Sequence, residues 1–300
     1  MNARPMSLGL VAVMVMAVVA SAVERRAPRP TFDDAAIRSL LSDDDLQNFD
    51  AIPLRPIESG GTQVADAAPG EASSWKRLIS AASLDSEIKR LRLHYDGLVR
   101  SPGPFKSGGY EDARVDLTAL ASWMAVLTEH PERSRLSDDA AAARDSLARA
   151  ATSLAGDTAS YKVARARSDD LRDIVTGVGL TAPDSDAPND WAAIASRSAM
   201  MQYVERVIGR LETTAVDVDA LDRSRDEVRV DAELLAAAGE IIIQDGMDEA
   251  DDPDYAVHSR AMTTAATRIT DALAGGDVSA AFEAVHRLRQ SCDACHADYR

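Results

Sequence analysis

The sequence predicts an all-α protein: two tandem four-helix bundles after a signal peptide and a flexible linker. Three observations predict it. Ala, Leu, Asp and Arg dominate, while aromatic residues make up only 4% of the chain and β-branched residues are sparse, a composition that favours helices over strands. From Ser74 onward apolar residues recur with helical period, in four runs separated by turn signals. The same set of four runs is then found a second time.

The elements follow in order. Arg4, the apolar stretch "LGLVAVMVMAVVA" and the small residues Ala20 to Ala22 read as a secretory signal over 1–22, too short in its apolar part for the roughly 20 residues of a membrane span. Residues 23–73, rich in Pro, Gly, Asp and Ser, read as a linker with one short helix near "AAIRSLLSDDDL". The first bundle is expected over 74–180, with helices near 75–99, 109–130, 137–154 and 158–176. The second is expected over 188–300, with helices near 191–212, 218–244, 254–274 and 278–299. Four helices with short connections bury their apolar stripes best as an antiparallel bundle.

The halves match residue by residue. "ARVDLTALASWMAVL" from Ala113 falls under "VRVDAELLAAAGEII" from Val228, Trp75 under Trp191, Arg90 under Arg206, and "LRDIV" from Leu171 under "LRQSC" from Leu288. The offset drifts only from 115 to 117, which points to an internal duplication.

A net charge of −16 argues against nucleic acid, whose phosphates require Lys/Arg clusters. It suits a solvated surface and a basic protein partner. Among the histidines, His94 and His130 of the first half carry no expected role, and His258 is expected at the surface. The acidic stretch "DGMDEADDPD" from Asp245 lacks the Gly and Glu placement of an EF-hand and reads as a solvated loop.

Both cysteines of the chain fall in "SCDACHADYR", Ser291 to Arg300. Cys292, Cys295 and His296 form C-x-x-C-H, the pattern of covalent c-type haem attachment. Two thiols one helical turn apart can each add to a vinyl group on one porphyrin edge, and the following His supplies an axial nitrogen. Phe282, Val285, Leu288, Cys292, Cys295 and Tyr299 recur every three or four residues, so the thiols lie on an apolar helix face. A disulfide between the two cysteines also fits the spacing. A thioredoxin-like site expects a βαβ setting, and a zinc site wants a fourth ligand. In the first half the matching positions are Val175, Val178 and Gly179, so one haem is expected per chain. His286 lies ten residues before His296, about 15 Å along the same helix, too far to cap the same iron.

This ending resembles the cytochrome c prime family of class II c-type cytochromes, whose last helix closes with C-x-x-C-H-x-x-[YF]-[RK]. Cys292, Cys295, His296, Tyr299 and Arg300 fit that pattern. The resemblance covers about 190–300 and reaches the first half only through the repeat. It implies haem c held by Cys292 and Cys295, with His296 as proximal iron ligand and Tyr299 and Arg300 packed beside the haem, Arg300 near a propionate. It also implies that the first helix of the second bundle covers the distal face, with an Arg followed four residues later by an apolar lid or a Met ligand. Arg197 and Met201 fit those places, so Met201 is the first candidate for the sixth ligand and Met200 the second. The first half has Ala81, Leu84 and Asp85 at the positions of Arg197, Met200 and Met201.

The resulting expectation is an exported, periplasmic or otherwise extracytoplasmic protein that transfers single electrons to redox partners. It would have no membrane span once the signal is cleaved, no enzymatic constellation, and an assembly compatible with a homodimer. Two other readings remain at this point: a five-coordinate haem binding nitric oxide or carbon monoxide, and a haem-free helical scaffold.

Overall fold

The computed structural model describes residues 75–180 and 187–299; the expected signal peptide, the expected linker and Arg300 lie outside the described residues. Every regular element among the described residues is helical, and none of these helices is long and apolar enough to cross a membrane. All of them belong to one compact unit, Ala67–Arg300.

The expected first run divides into α1 (Trp75–Leu78) and α2 (Ala81–Leu98). Ser80 breaks it by taking extended backbone, from which its side chain accepts the Ser83 N–H as an N-cap. The second half repeats the device. There α6 (Trp191–Ile194) gives way to α7 (Arg197–Thr214) at Ser196, which accepts from the Ala199 N–H. His130 takes up a structural role that its sequence context did not announce. It is buried, and its Nε2 donates to the carbonyl of Ile79 at 3.0 Å, the group that the break before α2 leaves free.

A helical turn at Pro102–Pro104 and a wider one at Phe105–Gly109 lead into α3 (Tyr110–Glu129), with Gly108 at φ 125° where a side chain would strain the bend. α4 (Ala140–Ser153) and α5 (Thr158–Thr176) complete the first half, α5 ending on Gly177 in the left-handed region. The run expected over 218–244 is interrupted at Ser224, giving α8 (Val218–Arg223) and α9 (Arg225–Ile241). α10 (Pro253–Ala274) starts with Pro at its first turn behind the Asp252 cap, and α11 (Val278–Asp298) is capped by Asp277.

Within the first half, α2 packs on α3, α3 on α4, α4 on α5, and α5 back on α2. Within the second, α7 packs on α9, α9 on α10, α10 on α11, and α11 back on α7. The halves meet across α2, α3, α7 and α9, and the contacts are reciprocal. Trp75 and Trp191 pack against each other at 6.0 Å between ring centroids, their planes tilted by 46°. Arg206 reaches Asp116 at 2.8 Å, and its counterpart Arg90 reaches Asp231, the counterpart of Asp116, at 3.4 Å. These contacts join positions that match in the two halves. Between them the Tyr203 hydroxyl donates to Glu87 at 3.0 Å, and Arg210 joins Glu87 at 3.3 Å to Asp231 at 2.6 Å. Glu87, Asp116 and Asp231 are all buried while their Arg partners keep part of their surface in solvent, so these ion pairs tie the halves together at the edge of their interface.

Candidate functional site

The motif helix α11 is positioned by its neighbours before any of its chemistry comes into play. Ala281, Ala284, Val285, Leu288 and Cys292 form its buried face. Arg289 clasps Glu212 of α7 with two parallel bonds, Nε to Oε1 at 2.7 Å and Nη2 to Oε2 at 2.9 Å, and holds that carboxyl below its ordinary pKa. On the other side, Gly239 lets α9 approach α10 closely. A Cβ there would meet the Ser259 carbonyl at 3.2 Å, and Ser259 Oγ donates to the Gly239 carbonyl at 2.5 Å.

A narrow cleft of only about 30 Å3, open on one side, lies between α7, α10 and α11. Met201, Val204 and Ile208 line it from α7, Ile242 from the end of α9, and Tyr255, His258, Ser259 and Met262 from α10. α11 contributes Ser291, Cys292, Cys295 and His296, and Glu205 stands at the edge. The three motif residues and Met201 thus share one narrow, largely apolar space.

Both cysteines are free thiols, so the disulfide that the spacing allowed is not formed. Burial pushes the Cys292 thiol up to about 11, and burial also raises the half-buried Cys295. Neither is an activated thiolate of the kind found in redox enzymes. His296 is half-buried and makes no hydrogen bond among the described residues, leaving both ring nitrogens unengaged. Among the described residues no group of three or more His, Cys, Asp or Glu is arranged to hold a metal ion. A bare ion therefore finds too few ligands here, whereas a metal that brings its own equatorial ligands needs only one or two from the protein.

The two methionine candidates separate. Met201 lines the cleft, while Met200 is fully buried on the other side of α7, with its sulfur 3.4 Å from Ser122 Oγ of the first half. One residue along a helix turns a side chain by about 100°, enough to move it from cleft to interface. Arg197 lies over the Tyr255 ring, its guanidinium carbon 5.5 Å from the centroid, and 3.9 Å from Glu249. Tyr299 packs edge-on against Tyr255 at 5.2 Å and donates to Asp252 at 2.7 Å. Arg300 is outside the described residues.

Sequence reasoning missed the α10 wall. His258 is not simply a surface residue: it lines the cleft and pairs with Asp298 at 3.2 Å. Tyr255, Ser259 and Met262 follow the i, i+4, i+7 spacing of one helix face, a signal that was present in the sequence. His286 is exposed and stacks edge-on with Phe282 at 4.8 Å, away from the cleft. His94 pairs with Asp116 at 2.6 Å, which raises its pKa.

The donor set tests whether a c-type haem suits the cleft. Two unpaired thiols stand one turn apart, with an unbonded imidazole next to them and a thioether on the facing helix. The walls are largely apolar. These donor types suit the group, and α7 and α11 would have to part to admit a porphyrin, since the cleft holds only about 30 Å3. Comparison with family models, with curated proteins and with solved structures finds no match for this chain.

Proposed function

We propose that each ring of four long helices is a four-helix bundle and that the chain is a tandem duplication of a cytochrome c prime-like unit. In this reading only the second bundle carries haem, and the protein transfers single electrons outside the cytoplasm, where its expected signal would deliver it. The observation that carries the proposal is that Cys292, Cys295, His296 and Met201 come from two helices to line one apolar cleft.

A bound haem would supply a one-electron couple at its iron. Cys292 and Cys295 would hold it through thioethers, and His296 through a ring nitrogen. Met201, on the facing helix, is the candidate for the opposite axial position; Met200, which faces the first half, is not. Val204, Ile208, Ile242 and Met262 keep water from the site, which strengthens the effect of every charge around it.

The exposed carboxylates of Asp248, Glu249, Asp251, Asp254, Asp293 and Asp298 surround this end of the second half, and they support a basic redox partner. No bond-making residue is assigned, so the role is carrier rather than enzyme.

The test is production of the mature chain in a host with haem-attachment machinery, followed by a haem-stained denaturing gel, intact mass and a visible spectrum. One covalent haem and a low-spin ferrous spectrum are expected. An unmodified chain would refute haem binding. A high-spin ferrous spectrum with free access of carbon monoxide would replace electron transfer by gas binding.

A further inference from the structure

Four sulfur-bearing side chains line the cleft: Cys292 and Cys295 from α11, Met201 from α7 and Met262 from α10. Both thiols are free, and residues three apart on a helix hold their Cβ atoms about 5–6 Å apart, so two sulfurs can reach one atom between them. The open space is about 30 Å3, which suits a single ion or water and is far too small for a larger ligand unless the helices part. Met262 has its methyl end packed toward Gly239 of α9. Cys292, Cys295 and Met201 are left as a three-sulfur set on two facing helices, walled by Val204, Ile208 and Ile242. An ion that wants four donors finds too few here. Copper(I), monovalent and soft, is selected by thiolate and thioether sulfur and is satisfied by two or three of them. The rim favours a cation, with Glu205 at the edge of the cleft and Asp298 paired to His258 in its wall.

We propose that the haem-free chain binds one copper(I) ion in this cleft through Cys292, Cys295 and Met201. The site does not rest on haem attachment. The two uses exclude each other, because thioethers to a haem consume both thiols. On binding, each thiol gives its proton to solvent and a sulfur lone pair to the ion. Copper stays monovalent, and two protons leave per ion bound. Burial keeps both thiols protonated in the empty site, so the bond to the metal does the deprotonating. Arg289, beside Cys292, works in the same direction by favouring the thiolate. The bound ion ties α7 to α11 and stabilises the fold by mass action.

The experiment titrates the full chain, made without haem attachment, with copper(I) in the absence of oxygen and against a coloured copper(I) chelator. One ion per chain is expected by native mass, with a melting temperature above that of the ion-free chain. Cys292→Ser and Cys295→Ser should each lose the ion at chelator concentrations where the parent keeps it. Met201→Leu should weaken binding about tenfold, equal to about 1.4 kcal/mol. Met200→Leu, on the other side of α7, should leave it unchanged, and melts without copper check that every variant is folded. A haem-loaded chain should take no copper. Parent-like binding in Met201→Leu would mean that the thiols alone hold the ion outside the cleft and would overturn the proposal. So would a parent that yields its copper as readily as the cysteine variants, or a haem-loaded chain that still takes one ion. None of these outcomes touches haem attachment. A chain that takes copper as described but gains no haem in a haem-competent host would leave this site standing and overturn the haem reading alone.

Discussion

The cleft between α7 and α11 and the matching place in the first half differ in two ways, and the second matters more. The first is composition. Met201 and Ile208 line the cleft, whereas the positions 116 residues earlier hold Asp85 and Arg92, with Arg92 paired to Asp96 at 3.1 Å. The second is helix length. α11 runs through the motif to Asp298, but α5 stops at Thr176, and Gly177 turns the chain away with φ 82°. Val178, the counterpart of Cys295, therefore stands 74% exposed beyond the helix end. The C-x-x-C-H residues of the second half ride on one more turn of helix, and the first half lacks both the residues and the turn.

The largest way to break this comparison is at the thiols. Replacing Cys292 and Cys295 by Ala should abolish covalent haem altogether, read as loss of the haem mass and of stain on a denaturing gel, while the first half is untouched. Next in size is the junction. Asp231→Asn removes one of the two buried carboxylates that Arg90 and Arg210 share, leaving them Glu87, and should cost about 2 kcal/mol in a denaturant melt. Asp116→Asn, which loses one Arg and one His, should cost less. Equal costs would deny any difference between the two sides of the junction.

Met201→Leu keeps volume and apolarity, so stability should fall by less than about 1.5 kcal/mol. The spectrum should nonetheless change to five-coordinate, the potential should drop, and carbon monoxide should bind faster to the ferrous protein. Met200→Leu should leave the spectrum alone. If the two variants exchange behaviour, Met200 is the ligand and the face assigned to it is wrong.

A smaller effect concerns His94. Its hydrogen bond to Asp116 raises its pKa above 6.5. The stabilisation is therefore fully present below pH 6.5 and is lost as pH rises through the higher folded pKa. With the side chain 51% exposed, solvent screens the pair and the change should be slight. Melts of the parent and His94→Gln across that window should converge at high pH. The smallest expected effect is none: the triple graft Val175→Cys, Val178→Cys and Gly179→His should give no second haem by mass, because α5 ends too early to present the motif.

The helical runs and the motif face were legible because each rests on local spacing, as with Cys292 and Cys295 on one apolar stripe. The breaks at Ser80 and Ser196 were less visible, since a serine inside a helical pattern announces a cap only when the backbone actually turns there. The choice between Met200 and Met201 depended on which neighbour each side of α7 meets, and that is a long-range fact. The place of Tyr255 in the cleft was hidden for a related reason. It sits on a helix without motif residues, and only the fold brings that helix to α11.

Glu87 and Tyr203 occupy matching positions in the two halves and meet each other at 3.0 Å. In an assembly of identical subunits, a residue on the two-fold axis must face its own copy. Two buried glutamates there would repel, and two tyrosines would offer no carboxylate to Arg210. Carrying both halves in one chain removes that restriction. An acid can face a phenol across the mid-plane, and a substitution on one side is no longer made automatically on the other. The same release from symmetry lets one half present a thiol pair and a cleft while its counterpart is free to specialise as a rigid support.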